Sequence, residues 1–143
     1  MTMTPTEVLQ ETLAAEHAAV YVYGVLGGRV SASTEPTLAA DLRTAYTLHR
    51  TRRDQLVAMV LDRGAEPVPA EVSYEVPTPA RTTDQQRAAA RQMEAWCART
   101  YAAAVAGTVL LERQWAIDAL KDAAVRGLGF GAEPAAFPGA PEL

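Results

Sequence analysis

Residues 46–61 read YTLHRTRRDQLVAMVL and decide the fold. Extended towards the N-terminus, the stripe is Leu38, Leu42, Ala45, His49, Arg53, Leu56 and Val60. Spacings of three and four residues mark one face of a long helix. His49 and Arg53 therefore fall on the face expected to be buried. A buried polar or charged group without a partner is costly. Glu16, in the middle of the preceding stripe, is the best partner the sequence offers, and Tyr46 lies beside the same face. Glu16, His49, Arg53 and Tyr46 are thus the expected buried polar network.

Working outward, Thr4-Pro5-Thr6-Glu7 is a helix start, with Thr4 and Glu7 placed as a capping box and Pro5 at the first helical position. The first helix is expected over about 5–29, with Leu9, Leu13, Glu16, Val20 and Tyr23 on its inner face. A short connector precedes a second helix over 35–63, stopped by Gly64. Residues 65–82 carry prolines at 67, 69, 77 and 79 and have no helical period. Such a segment is extended and stiff. A helix of about 26 residues is roughly 39 Å long, and about 18 extended residues reach nearly 60 Å. The segment is therefore long enough to return along the whole bundle and start the third helix beside the start of the second. Thr83 or Asp84 is expected to cap a helix over 83–106. Its inner face is expected to be Met93, Trp96, Cys97, Thr100 and Ala104, with Glu94 on the shoulder. Thr108 is expected to cap a fourth helix over 109–126, with Leu110, Ile117, Leu120 and Ala124 inward. A tail, 127–143, closes the chain. The expected architecture is one all-α domain over 1–143, a four-helix bundle with a long crossover between helices two and three.

Composition narrows the function classes. Of 143 residues, 17 are acidic and 13 basic, giving a net charge of -4. That balance does not suit a general nucleic-acid binder. The single cysteine, Cys97, forms no intramolecular disulfide and reads as a small buried hydrophobe. No apolar run is long enough for a membrane span, and the N-terminus lacks a signal-peptide pattern. A soluble cytoplasmic protein is the expectation. Phosphate loops, nucleophile elbows, HExxH and paired CxxC motifs are absent from the sequence.

Three stretches, LAAEHAAVYVYGVLG (13–27), HRTRRDQLVAMVLDRGAEPVP (49–69) and AFPGAPE (136–142), resemble the actinobacterial ferritin-like domain family of unknown function. The resemblance implies a ferritin-like bundle but no reaction. Ferritin-like di-metal proteins place a glutamate on each of two helices and a Glu-x-x-His pair on each of the other two. On that pattern Glu16 matches the first-helix glutamate and Glu94 the third-helix glutamate. His49 matches the second-helix histidine, but Tyr46 stands where its carboxylate should be. Pairing His49 with the glutamate position instead places Arg52 at the histidine. Helix four has no histidine, and its nearest equivalent is Asp118-x-x-Lys121.

The expectation is therefore a bundle without a working di-metal centre, with no catalytic residues and no cofactor. It would act as a binding or interaction module for a protein or small molecule, and as a homodimer through an exposed helix face. The alternative is a carboxylate-bridged oxidoreductase or metal-storage protein holding iron or manganese in an atypical site. That site would use Glu16, His17, His49 and Glu94, with Asp118 or Asp122.

Overall fold

The computed structural model describes residues 2–143 and contains four helices. They are α1 (Pro5–Arg29), α2 (Pro36–Asp62), α3 (Thr83–Gly107) and α4 (Leu110–Gly129). No strand occurs among the described residues. The chain is a four-helix bundle in which α1 packs on both α2 and α3, and α3 packs on α4.

Local chemistry sets the helix ends. Thr4 and Glu7 form a reciprocal capping box at the start of α1. Gly64, at φ +74°, ends α2 in the left-handed region that a residue with a Cβ adopts only with strain. The cap of α3 is Thr82, one residue earlier than Thr83. It pairs with Gln85 in a second capping box. Gln86 is buried and donates to the Ala80 carbonyl. Thr108 does not cap α4. Its hydroxyl donates back to the Ala104 carbonyl at 2.5 Å and closes α3, so α4 starts at Leu110 with no side-chain cap.

The segment after α2 runs lengthwise along α1. Gln10 donates to the Glu66 carbonyl and accepts from Val68 N–H. His17 Nε2 lies 2.9 Å from the Val68 carbonyl oxygen. Arg29, at the far end of α1, donates to the Pro79 carbonyl. Contacts from residues 10, 17 and 29 to 66, 68 and 79, in that order, trace the crossover from one end of the bundle to the other. Thr83 then donates to Glu35, which sets the start of α3 beside the start of α2.

Helix α4 differs from the sequence expectation in length and in face. It continues to Gly129, because glycine in a helix costs only about 1 kcal/mol relative to alanine. Gly127 is buried and faces Ala132 and Glu94. The buried residues of α4 are Ala116, Ala119, Ala123 and Gly127, whereas Leu110 is 85% exposed and Ile117, Leu120 and Ala124 are half-buried. Small residues at this spacing bring the α3 and α4 backbones close, so the larger aliphatic side chains turn away. The tail folds back over α3, with Gly139 at φ +76° seated against the Ala98 carbonyl.

Candidate functional site

Charged and polar side chains from all four helices meet in the bundle core. α1 supplies Glu16 and Tyr23, α2 supplies His49 and Arg52, and α3 supplies Glu94, Cys97 and Tyr101. Asp122 and Arg126 reach in from α4.

His49 is the hub. Its Nδ1 lies 2.5 Å from Glu16 Oε2, and its Nε2 lies 3.0 Å from Glu94 Oε1. A carboxylate only accepts hydrogen bonds, so two carboxylates facing the two ring nitrogens call for a proton on each. Burial alone would lower the His49 pKa. The carboxylates of Glu16 and Glu94 outweigh it and push the pKa up to about 9. The Tyr23 ring stacks on the imidazole at a centroid distance of 5.3 Å.

Each carboxylate has further donors. The Tyr101 hydroxyl donates to Glu16 Oε1, and the Tyr23 hydroxyl donates to Glu94 Oε1 at 2.5 Å. Burial, then the neighbouring carboxylates, raises both phenols well above the ordinary tyrosine value and keeps them as donors. Burial likewise raises the Cys97 thiol, as do Glu16 and Glu94. Arg52 donates to the Tyr101 hydroxyl and to Asp122. Its guanidinium also sits 5.2 Å from the Tyr101 ring centroid. Arg126 pairs with Asp122 at 3.2 Å and lies 3.8 Å from Glu94. Three acidic side chains (Glu16, Glu94, Asp122) thus stand against three basic ones (His49, Arg52, Arg126). Only Glu94 Oε2 and Arg126 Nε lack a hydrogen-bond partner among the buried side-chain atoms described.

Of the residues expected in the polar network, Glu16 and His49 are there, but Arg53 and Tyr46 are not. Arg53 is half-buried and pairs with Asp54. Arg52 takes the inner place because it lies three residues after His49 and turns towards Tyr101 and Asp122. Tyr46 is half-buried, with the Arg50 guanidinium 5.6 Å from its ring centroid, and reaches none of these groups.

Among the residues of the metal-site alternative, Glu16, His49 and Glu94 converge, but His17 does not, being held on the crossover. Asp118 is exposed and accepts from Gln114, whereas Asp122 joins the network through Arg52. Glu94 is buried, not on a shoulder, and Trp96 is 46% exposed. Tyr23, Tyr101, Arg52 and Arg126 were not singled out from the sequence as members of the network. Their signal is the i, i+7 spacing of Tyr23 from Glu16 and of Tyr101 from Glu94.

Arg52 and Arg53 give a local test. Arg52→Ala removes the donor to the Tyr101 hydroxyl, leaves Asp122 with Arg126 alone, and is expected to cost about 2–4 kcal/mol. Arg53→Ala removes a surface pair and is expected to cost under about 0.5 kcal/mol. Urea denaturation of the two variants checks this, and equal midpoints would place the wrong arginine in the core.

No helix among the described residues is long and apolar enough to cross a membrane. The structure is similar to the crystal structure of a conserved hypothetical protein, rv2844, from Mycobacterium tuberculosis. The TM-score is 0.81 and the identity 27%, over 88% of this chain and 93% of that one. No curated protein matches the chain significantly. Residues 8–142 match the family described as a domain of unknown function, DUF4439. The chain belongs to that family.

Proposed function

We propose that this is a ferritin-like bundle in which side-chain cations stand in place of a di-metal centre. On this reading the chain works as a binding or interaction module and not as an oxidase. The observation that carries it is the pair His49 and Arg52, three residues apart on the inner face of α2. They occupy the spacing at which the ferritin-like pattern has Glu-x-x-His. A bridging carboxylate is thereby exchanged for an imidazolium, and a ligand histidine for a guanidinium. On α4 the inward groups are Asp122 and Arg126, four residues apart, again without a histidine. The donor set does not fit a pair of metal ions, because two guanidiniums lie within it and Arg52 already binds Asp122.

Metal loading tests the reading. Protein purified from cells grown with added iron and manganese is expected to carry fewer than two of these ions per chain. It should consume no oxygen on addition of Fe(II). Two irons per chain with rapid oxygen uptake would overturn it.

Support for an interaction role comes from the α3–α4 turn. Val109, Leu110 and Leu111 are exposed there in succession, and Leu110 is held at φ +54°. A second copy of this chain is the occupant that this end would take. Sedimentation should then show a dimer that dissociates on Leu110→Glu/Leu111→Glu, and a monomeric parent protein would remove that part of the reading.

A further inference from the structure

Cys97 lies one helical turn after Glu94 on the inner face of α3. It comes together there with groups from two other helices. One donor atom each from Glu16, His49 and Cys97 lies within 4.8 Å of the others, and all three residues are buried. These are an oxygen, a nitrogen and a sulfur donor, converging from α1, α2 and α3. Glu94 lies across the His49 ring from Glu16, at Nε2. Glu94 Oε2 is buried without a partner, although Oε1 of the same carboxylate accepts from both His49 and Tyr23.

We propose that Glu16, the Nδ1 of His49 and Cys97, with water in the fourth position, bind one thiophilic divalent cation of the zinc class. The proposal rests on the reading above only in that α2 and α4 do not build a two-metal site. The donor set decides the class of ion. Thiolate with imidazole and carboxylate suits four-coordinate zinc, whereas iron and manganese carboxylate sites do not call for sulfur. Tetrahedral bonds of about 2.0–2.3 Å put donors roughly 3.5 Å apart. The cluster therefore needs to close by about 1 Å, which is within the reach of side-chain rotation.

The charges balance. The metal ion brings two positive charges. Two protons leave to solvent, one from the His49 imidazolium and one from the Cys97 thiol. The core keeps the net charge it has without metal. With Nδ1 on the metal, Nε2 keeps its N–H on Glu94 Oε1. This is the outer-shell arrangement that orients ligand histidines, and Tyr101 on Glu16 adds a second such contact. An open cavity of about 230 Å³ between α3, α4 and the tail is lined by Glu94, Ala98, Ala123 and Gly127.

Cobalt(II) is the probe. The full chain, stripped with chelator, is titrated with Co²⁺ and followed by absorption. The expected result is one Co²⁺ per chain, with a sulfur-to-cobalt charge-transfer band in the near ultraviolet that Zn²⁺ abolishes. Cys97→Ala, checked for folding by circular dichroism, should lose that band and at least about tenfold in affinity. If Cys97→Ala does not fold, the parent spectrum still decides, because Cys97 is the chain's single cysteine. Absence of the band overturns the proposal, as does its persistence in folded Cys97→Ala, and either result leaves the missing two-metal centre untouched. Two cobalt ions per chain would overturn the proposal and the reading on which it rests.

Discussion

Glu16→Ala is expected to lower the melting temperature by about 10–15 °C at pH 7, while Glu11→Ala shifts it by no more than a degree or two. Glu16 is fully buried and accepts from His49 and Tyr101, the residue Arg52 also contacts. Removing it leaves the His49 Nδ1–H and the Tyr101 hydroxyl facing a cavity with no acceptor. Breaking a buried pair in this way costs roughly 3–5 kcal/mol, and in a domain of this size each kcal/mol is worth about 2–4 °C or slightly more. Glu11 is exposed on the same helix, so its loss should fall within about 0.5 kcal/mol. Glu16→Gln keeps the volume and one acceptor but not the charge, and should fall between the two. Thermal melts followed by far-ultraviolet circular dichroism make the comparison. Equal melting temperatures for Glu16→Ala and Glu11→Ala would mean that the core ion pairs do not hold the bundle together.

The second large effect is on the alkaline side. The folded-state pKa of His49 is raised from 6.5 to about 9. A raised pKa means that the folded state holds the proton more tightly than the unfolded chain does. The stabilisation is therefore complete below about pH 6.5 and is lost as the pH climbs through about 9. The difference corresponds to about 3 kcal/mol, or a fall of about 10 °C in melting temperature across that window. The groups facing His49 are Glu16, Glu94, Tyr23 and Cys97, with Arg52 and Tyr101 behind Glu16. The two phenols and the thiol are shifted upward, out of this window. His49→Gln should be less stable at pH 6.5 and should melt at nearly the same temperature from pH 6.5 to 9. A parent protein whose stability is flat over that range would contradict a charged His49.

The residues that set the fold are readable in the sequence because their signals are local. Thr4 and Glu7 form a cap by spacing alone, and Gly64 marks a left-handed stop. The prolines at 67, 69, 77 and 79 both forbid a helix and stiffen a segment long enough to return along the bundle. The centre of the site was legible for a related reason, since Glu16 and His49 interrupt apolar stripes.

What was hidden depends on how helices rotate about their own axes. Arg52 and Arg53 differ by one residue, and only the position of Tyr101 and Asp122 on other helices selects Arg52. Trp96 drew the inner face of α3 away from Glu94 because aromatic bulk usually marks a core. The close approach of α3 and α4 through Ala116, Ala119, Ala123 and Gly127 instead buries small residues and leaves the tryptophan half in solvent. The same rotation turns Asp122 and Arg126 inward and Leu110 outward, which hydrophobicity alone does not foretell. Cys97 was correctly placed in the core, but its neighbours Glu16 and His49 come from other helices.

The most direct measurement of the central claim is the ¹⁵N spectrum of the His49 ring, recorded on the chelator-treated protein from pH 6 to 10. An imidazolium clasped between Glu16 and Glu94 should show both nitrogens protonated at pH 7, with a midpoint near 9. A neutral ring at pH 7, with one nitrogen bare, would contradict the network at its hub.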